Sequence, residues 1–424
     1  MKIMRDDLLS NHHIVLWGIF LVGLILRGYG LSSQPPLDDE AAAASAAYNY
    51  LEHGLFGQVM WYHPPLRNFV IFVSGKLFGG YTAWGLRGGS VLLGSLSVPL
   101  LGYLAFSLFR KEAIAYLAAF FLCIDPLHIA LSREAFQETT TAFFIIAGVL
   151  AALYGSRKDN IPAVYLSGLF FGLATASKWH GLFPWAACAF VYLFAPRLIS
   201  SYSGERRFSH RLLTTFAAFV AIPAVVYVVA YLPWLLRGYS LSEFADLQAW
   251  LVKRQYFHEP PTYAGQFLQH RAYQWFIMPT AWIDFVFHEG RPYIGIAMGN
   301  FLVWVMTLPA LYFSVKRFMK EREFEAGFAI GLFVISYLPL VFTSRGIWVF
   351  SAPAVIPFAF ILTAFMINAF LMSGRLSFKL LCTYLAVVLL LSALMYPMAI
   401  FRTLEYPYLK SLSDLYSPHK EQMQ

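Results

Sequence analysis

The sequence predicts an all-α polytopic membrane protein, and three observations lead to this fold class. Of the 424 residues, 59% are hydrophobic and only 13% are charged, whereas a typical soluble domain has roughly 25% charged residues. The mean hydropathy is +0.59. Apolar runs of about 20 residues, enough to cross the hydrocarbon core of a bilayer, recur along the chain.

About eleven spans are predicted from these runs. We expect residues 1–400 to form a single transmembrane bundle, because no polar stretch is long enough for a separate soluble domain, and residues 401–424 to form a tail. The predicted spans lie near 14–31, 82–109, 113–130, 135–154, 161–177, 181–196, 212–236, 294–315, 325–343, 347–372 and 378–400.

The distribution of cations predicts the orientation, because Lys and Arg are enriched in short cytoplasmic connections. With a cytoplasmic N-terminus and alternating spans, about half of the 31 Lys and Arg residues lie in such connections. Most carboxylates then lie on the other side, together with the tail. We therefore expect a multi-pass protein of the cell inner (plasma) membrane whose polar residues, and with them any functional site, lie on the extracytoplasmic side. The net charge of +8 does not indicate nucleic-acid binding, since the cations are scattered over connections.

Two external segments are long, 32–81 and 237–293. Residues 41–52 are rich in alanine and have high helix propensity. Residues 66–78 predict a second short apolar helix, and both helices are expected to lie at the membrane interface. No internal repeat is evident, which counts against transporters built from two repeats.

Asp38, Asp39 and Glu40 follow the first predicted span directly. Acids at a helix start act as caps and complement the helix dipole, but one carboxylate suffices for capping. Three adjacent carboxylates repel one another, and this unfavourable repulsion indicates that they have a functional role. A carboxylate with its pKa tuned by its neighbours is suited to act as a general base toward a hydroxyl acceptor.

Two further clusters provide candidate substrate-binding residues. His63 precedes Pro64 and Pro65, which hold it in an extended conformation. It is either part of a turn that re-enters the membrane or a hydrogen-bond donor to substrate. Arg133 and Glu138 lie at an external turn between two spans. Arg133 is suited to forked bonds with a phosphate, and the structural alternative is an ion pair of Arg133 with Glu134 or Glu138.

Lys178 and His180 lie in a third external turn, within Lys178-Trp179-His180-Gly181. Lys178 either extends its ammonium group to the membrane interface or binds a lipid phosphate. Arg345 lies in another external turn, which leads to the intramembrane Pro353 and Pro357. No ligand spacing supports a metal site.

These motifs, taken in order, resemble the protein O-mannosyltransferase family of the glycosyltransferase C superfamily. The resemblance covers roughly residues 38–310, with a weaker match at RGIWVFSAPAVIPF. The motifs are the acid pair, HPPL, RGGSVLLGSLSVPLL, SRE with a second Glu four residues on, SKWHGLF, QWFIMPTAWIDFVF and IAMGNFLVWV. The chain departs from the family in having Ala after the acid pair, where eukaryotic members have His, and Trp61 two residues before HPPL, where an Asp is usual. The second external segment has no large inserted domain, which is typical of a minimal prokaryotic member.

The resemblance implies an inverting transfer of a sugar, mannose being favoured, from a polyprenyl-phosphate carrier to a hydroxyl acceptor such as protein Ser or Thr. It maps the catalytic base to Asp39, with Glu40 beside it, and the family's Ser-Arg turn and following acid to Arg133 and Glu138. Asp38 is left to cap the helix. The implied partners are the lipid-linked sugar, the acceptor (protein, lipid or glycan) and membrane lipids. No cofactor is required, since phosphate is a good leaving group, and a divalent metal stays open.

Three other functions remain open on the sequence. Aminoarabinose transferases that modify lipid A share the architecture. A lipid or solute transporter would use Arg133, Glu138 and Lys178 as a substrate path. A lipid-binding scaffold would lack catalysis altogether.

Overall fold

The structure of the chain is a computed structural model that describes residues 11–55, 63–80, 82–199, 202, 204, 206–257, 271–343 and 347–409. Within these ranges, side chains are not described for Asn11, Asp38, Asp39, Arg254, Gln255, Tyr256, Phe257, Phe285 and Phe287. The predictions made for the Asp39 side chain, for Arg345 and for the tail after Leu409 therefore lie outside the described residues.

Most of the described residues are helical, and they include one two-stranded sheet. In chain order the helices are α1 (Asn11–Gly28), α2 (Asp38–His53), α3 (Leu66–Phe78), α4 (Ala83–Phe109), α5 (Glu112–Ile124), α6 (Pro126–Ser132), α7 (Gln137–Lys158), α8 (Ile161–Ser177), α9 (Leu182–Leu198), α10 (Phe208–Phe216), α11 (Ile222–Val229), α12 (Leu232–Leu235), α13 (Leu241–Phe257), α14 (Phe301–Trp304), α15 (Thr307–Glu321), α16 (Phe324–Val341), α17 (Ile356–Met372) and α18 (Phe378–Ala399), and the strands β1 (Ala281–His288) and β2 (Arg291–Met298) lie between α13 and α14.

Eight spans in the described part of the chain are long and apolar enough to cross a membrane. They are formed by α1, α4, α7, α9, α10 with α11, α14 with α15, α16 and α18. A ninth is added if α5 and α6 count as one broken span, and the apolar helices α8 and α17 have only 17 residues each. The class of helical membrane protein is thus confirmed, whereas the predicted number of eleven spans is not.

The break between α5 and α6 has a local cause. Asp125 precedes Pro126, and the proline ring keeps Asp125 out of the helical conformation, at φ −65° and ψ 117°. The Asp125 carboxylate then accepts the backbone N–H of His128 at 3.0 Å and caps α6. The two helices consequently meet at 61°.

Both helices predicted in the first long segment are present. α2 begins at Asp38, somewhat earlier than the predicted 41–52, and α3 covers the predicted residues 66–78. Ala43 and Ala47 on α2 pack against Ile71 on α3 and against Ala135. The alanines let α2 lie close to its neighbours, which brings the acid-rich helix start next to the turn between α6 and α7.

The second long segment differs from the all-helical prediction. β1 and β2 pair in antiparallel register from Ala281↔Met298 to His288↔Arg291. The predicted span at 294–315 therefore starts too early, because residues 294–298 belong to β2 and the helix begins at Phe301. We call the end of the bundle that carries α2, α3 and this hairpin the loop end.

Candidate active site

Glu40, at the loop end, is a carboxylate with four described hydrogen bonds. Its side chain is fully buried. Arg87, inside α4, donates to both carboxylate oxygens, from Nε to Oε1 at 2.8 Å and from Nη2 to Oε2 at 2.5 Å. The backbone N–H of Ala135 adds a bond to Oε1 at 2.9 Å, and that of Leu37 adds one to Oε2 at 3.1 Å. Glu40 therefore anchors α2 to α4 and to the turn after Arg133.

The same contacts determine where the acid-rich helix starts. Leu37 is the N-cap residue of α2, and Glu40 at the third helical position accepts its N–H. The capping contact expected from the Asp38 side chain lies outside the described residues. Asp38 and Asp39 occupy the first turn of α2, where the helix dipole favours negative charge. The Glu40 anchor consequently determines the backbone position of Asp39.

Arg87 and Arg133 also hold the segment that connects α1 to α2. Arg87 donates to the carbonyl oxygens of Gln34 at 3.1 Å and Pro35 at 2.7 Å. Arg133 donates to the carbonyls of Arg27 at 2.8 Å and Tyr29 at 2.7 Å. Two buried guanidinium groups thus satisfy backbone acceptors that would otherwise lack partners.

Arg133, predicted to bind phosphate, is buried and makes a third bond, from Nε to the Gln34 side-chain oxygen at 3.1 Å. Its Nη2 and the Gln34 Nε2 are buried donors without a partner among the described residues. Burial lowers the pKa of Arg133 to about 10, so the group stays cationic at neutral pH. Neither of the predicted partners, Glu134 or Glu138, forms an ion pair with it in the described structure.

Glu138 instead pairs with Lys178. The Lys178 ammonium lies 2.9 Å from Glu138 Oε1 and 3.2 Å from the Ser351 hydroxyl oxygen. It also lies 5.2 Å from the centre of the Phe350 ring, within the range of a cation–π contact. Both charged side chains are buried. The pair joins α7 to the turn after α8, and its two residues lie 40 positions apart in the sequence.

A cavity of about 110 Å³ lies next to this pair. It brings together His63, Lys178 and His180 from two predicted motifs. Its other lining residues are Pro64, Trp179, Phe183, Leu251, Pro339, Leu340, Thr343 and Ile347. Thr343 and Ile347, which border residues 344–346 in the sequence, both line the cavity.

A chain of hydrogen bonds holds α13 beside the cavity. The Trp179 indole N–H donates to the Tyr227 hydroxyl oxygen at 3.1 Å. The Tyr227 hydroxyl donates to Gln248 Oε1 on α13 at 2.7 Å. Leu251, one turn further along α13, is buried and lines the cavity. The second long segment therefore forms part of the cavity wall.

Several of these residues were not predicted from the sequence. Arg87 belongs to the motif RGGSVLLGSLSVPLL, and a charged residue inside an apolar span is itself a sign of function. Glu134 is buried, and its Oε2 has no partner among the described residues. Burial, followed by the nearby Asp284 and Glu40 carboxylates, raises the pKa of Glu134 well above its usual value. No local pattern pointed to Tyr227 or Gln248.

A metal site is not evident in the part of the chain that the structure describes. No group of three or more His, Cys, Asp or Glu residues in that part is arranged to hold a metal ion. The buried carboxylates of Glu40 and Glu138 are instead paired with Arg87 and Lys178.

Comparison with known proteins confirms the resemblance read from the motifs. Residues 40–235 match the family model described as dolichyl-phosphate-mannose-protein mannosyltransferase. A polyprenol-phosphate-mannose–protein mannosyltransferase of Corynebacterium glutamicum is 22% identical over 430 residues, which cover 82% of this chain and 81% of that protein. An undecaprenyl phosphate-α-4-amino-4-deoxy-L-arabinose arabinosyl transferase of Enterobacter sp. (strain 638) is 23% identical, over 78% of this chain and 54% of that protein.

Among solved structures, the chain is similar to the S. cerevisiae protein O-mannosyltransferase Pmt1-Pmt2 complex bound to the sugar donor. The TM-score is 0.74 at 11% identity, and the match covers 92% of this chain and 90% of that chain. At such low identity the likeness shows the fold alone. The chain therefore shares the fold of that complex, in agreement with the fold class that the motifs predicted.

Proposed function

We propose that this chain is an inverting glycosyltransferase that moves a sugar, with mannose favoured, from a polyprenyl-phosphate carrier to a hydroxyl acceptor such as protein Ser or Thr. One observation carries the proposal: the first turn of α2, the Arg133 turn and Lys178 with its cavity lie at the same end of the bundle. The names of the relatives, which are protein mannosyltransferases, support the donor and the acceptor class.

In the proposed reaction, Asp39 is the general base. Its carboxylate takes the proton of the acceptor hydroxyl while the hydroxyl oxygen attacks the anomeric carbon. The bond from that carbon to the phosphate oxygen breaks, and the electron pair leaves with the phosphate. Attack from the face opposite the phosphate inverts the configuration. Glu40 does not transfer a proton in this scheme; it positions Asp39 through its four hydrogen bonds.

The leaving phosphate requires positive charge as it develops a further negative charge. Lys178 lines the cavity and fits this role. Arg345 is proposed to join it because Thr343 and Ile347, the described residues on either side of 344–346, line the same cavity. His63 and His180 line the same cavity and are proposed to donate hydrogen bonds to the sugar or the phosphate. Arg133, whose described bonds go to residues 27–34, is proposed to position the α1–α2 connection.

The orientation in the membrane is part of the proposal. The connections opposite the loop end hold paired cations such as Arg157 with Glu325 and Arg206 with Asp159, together with the exposed Arg110 and Lys111. This surplus of cations supports a cytoplasmic location for that end. The loop end and its site then face the extracytoplasmic side of the inner (plasma) membrane, with the N-terminus in the cytoplasm.

A second candidate is transfer of a sugar to a lipid or glycan, and the Enterobacter relative favours it because that protein is named as an aminoarabinose transferase. Transport without catalysis is the third. A donor screen separates them: purified protein is supplied with polyprenyl-phosphate mannose or with the aminoarabinose donor, and with a Thr peptide or lipid A. Mass spectrometry then follows the product and the free polyprenyl phosphate.

The decisive variants are Asp39→Asn and its neighbour Asp38→Asn as the matched control. Loss of a general base is expected to slow transfer by about 10²–10⁴-fold, whereas Asp38→Asn retains it. Full activity of Asp39→Asn would refute the assignment of the base. Uptake of donor by vesicles without release of polyprenyl phosphate would favour transport. Because phosphate needs no metal to leave, a chelator should not lower the rate.

A further inference from the structure

The β1–β2 hairpin at the loop end has a defined hydrogen-bonding direction. Its turn is Glu289–Gly290, with φ values of 51° and 74°, and it pairs His288 with Arg291. In such a two-residue turn the flanking pair exchanges hydrogen bonds, and every second pair along the ladder does so as well. The N–H and C=O groups of the remaining residues point away from the partner strand.

This rule assigns the outward positions of each strand. On β1 they are Ala281, Ile283, Phe285 and Phe287, and on β2 they are Pro292, Ile294, Ile296 and Met298. Two observations agree with the assignment. Pro292 has no N–H and needs no ladder donor, and the Thr403 hydroxyl donates to the outward carbonyl of Ile294 at 2.6 Å.

The two edges of the hairpin differ in what covers them. The C-terminal turn Thr403–Glu405 lies along the edge of β2 and bonds to it. On β1, the backbone groups of Ala281 and Ile283 have no hydrogen bond in the described structure. Both residues are only half-buried, although Ile283 packs through its side chain against a cluster with Met395 and Met398. An open strand edge of this kind is a template for another extended chain.

β1, whose outer edge the described residues leave uncovered, lies beside the candidate active site. Trp282 on β1 contacts the ring of Phe350, with centroids 5.1 Å apart, and Lys178 lies over that same ring. Asp284 and Glu134 line one small pocket, and Ala135, the next residue, bonds to Glu40. β1 is therefore positioned between the Lys178 cavity and the anchor of the acid-rich helix.

We propose that the outer edge of β1 binds the acceptor polypeptide as an added third strand. The edge offers alternating N–H and C=O groups at strand spacing, and only an extended polypeptide backbone offers the matching set. Lipid tails and sugars do not. The inference rests on the proposed function for the identity of the bound chain, and it makes protein the acceptor. Side chains of the added strand alternate between the two faces of the sheet. Ser or Thr residues two positions apart in the acceptor therefore present their hydroxyls on the same face, whereas adjacent ones present them on opposite faces.

The test uses the full-length protein and a short synthetic peptide with one central Thr between Val and Ala residues. Single N-methyl groups are placed at each backbone nitrogen in turn, and the peptide Kd is measured. Binding should weaken by roughly threefold to tenfold at every second position, the effect of losing one hydrogen bond, and stay near the parent value between them. Equal effects at all positions, or none, would overturn the proposal.

A pair of protein variants tests the edge itself. Ile283→Pro removes an outward N–H from the edge of β1, and Ile296→Pro removes an outward N–H from the edge of β2, at the residue paired with Ile283. Neither variant removes a hydrogen bond between the two strands. Pro292 shows that a proline is tolerated at an outward position. Only Ile283→Pro should weaken binding of the peptide. Equal affinity of both variants, or a change of oligomeric state in Ile283→Pro without loss of peptide affinity, would contradict the proposal. The Kd of the peptide is measured without turnover. If N-methylation weakens binding at every second position but no sugar is transferred, the proposed function is refuted and the edge proposal stands.

Discussion

Arg87 holds both carboxylate oxygens of Glu40 at the loop end, and both side chains are almost completely removed from solvent. Arg87 lies in the first turns of a membrane-spanning helix, and Glu40 lies in the helix that carries Asp39. The pair thus connects the frame of the bundle to the position of the proposed base. A buried ion pair of this kind is expensive to break, because the remaining partner is left charged and unpaired.

Glu40→Gln is therefore expected to destabilise the protein by about 3–5 kcal/mol, since it leaves Arg87 without its counter-charge. Thermal or denaturant unfolding of the protein in detergent measures the change. The control is Glu321→Gln, which removes a partner of the half-exposed Arg317 and should cost no more than about 1 kcal/mol. Equal losses in the two variants would show that the Glu40–Arg87 pair is not an anchor.

Lys178→Gln should affect both stability and donor binding. It leaves the buried Glu138 unpaired, which is expected to cost about 3–5 kcal/mol, and it removes the cation proposed to contact the phosphate. Donor affinity should fall by at least about tenfold, the value of one charge-assisted hydrogen bond. Lys76→Gln, at an exposed position on α3, is the control. Unchanged donor affinity in stable Lys178→Gln protein would remove Lys178 from the binding site.

Glu134 is expected to make stability depend on pH. Its folded-state pKa is raised above the usual value of 4.5, so above pH 4.5 the folded protein holds a proton that the unfolded chain has lost. The free energy of unfolding should then decrease as pH rises from about 4.5 toward the raised pKa, by at most about 1.4 kcal/mol per pH unit.

Glu134→Gln mimics the protonated form at every pH. Melting temperatures measured between mildly acidic and neutral pH should therefore fall less with pH in this variant than in the parent. The variant should also be the more stable protein at neutral pH. An unchanged slope would mean that Glu134 is ionised in the folded protein.

Gly168 on α8 provides a test of helix packing. A Cβ at this position would lie 1.8 Å from the carbonyl oxygen of Ala218, in the π-helical turn Ala217–Ala221. Gly168→Ala should destabilise the protein by at least about 1–3 kcal/mol, because the obstacle is backbone. Gly18→Ala on α1 has no atom within 4 Å of its Cβ and should be neutral or slightly stabilising. Similar melting temperatures for the two variants would argue against close contact of α8 with that turn.

The sequence by itself determined the class of protein and the positions of most helices. Hydrophobic runs must cross the bilayer as helices, because no water is available there to satisfy backbone groups. The α3 helix at 66–78 was located correctly, and the order of motifs pointed to the family whose model matches residues 40–235. The hairpin was not predicted, because its second strand continues into an apolar run. The predicted span at 294–315 consequently included residues 294–298 of β2.

Only the tertiary structure decided which charged groups are partners. As the structural alternative to phosphate binding, the sequence offered a pair of Arg133 with Glu134 or Glu138, which are close to it in the chain. In the fold, Glu138 pairs with Lys178 and Glu40 pairs with Arg87, at separations of 40 and 47 residues. A charge buried in a bundle must find its partner on whichever helix packs against it, and helix packing is a property of the whole chain. The sequence therefore shows that Glu40 follows Asp39, and the fold shows that Glu40 anchors the start of the helix on which Asp39 lies.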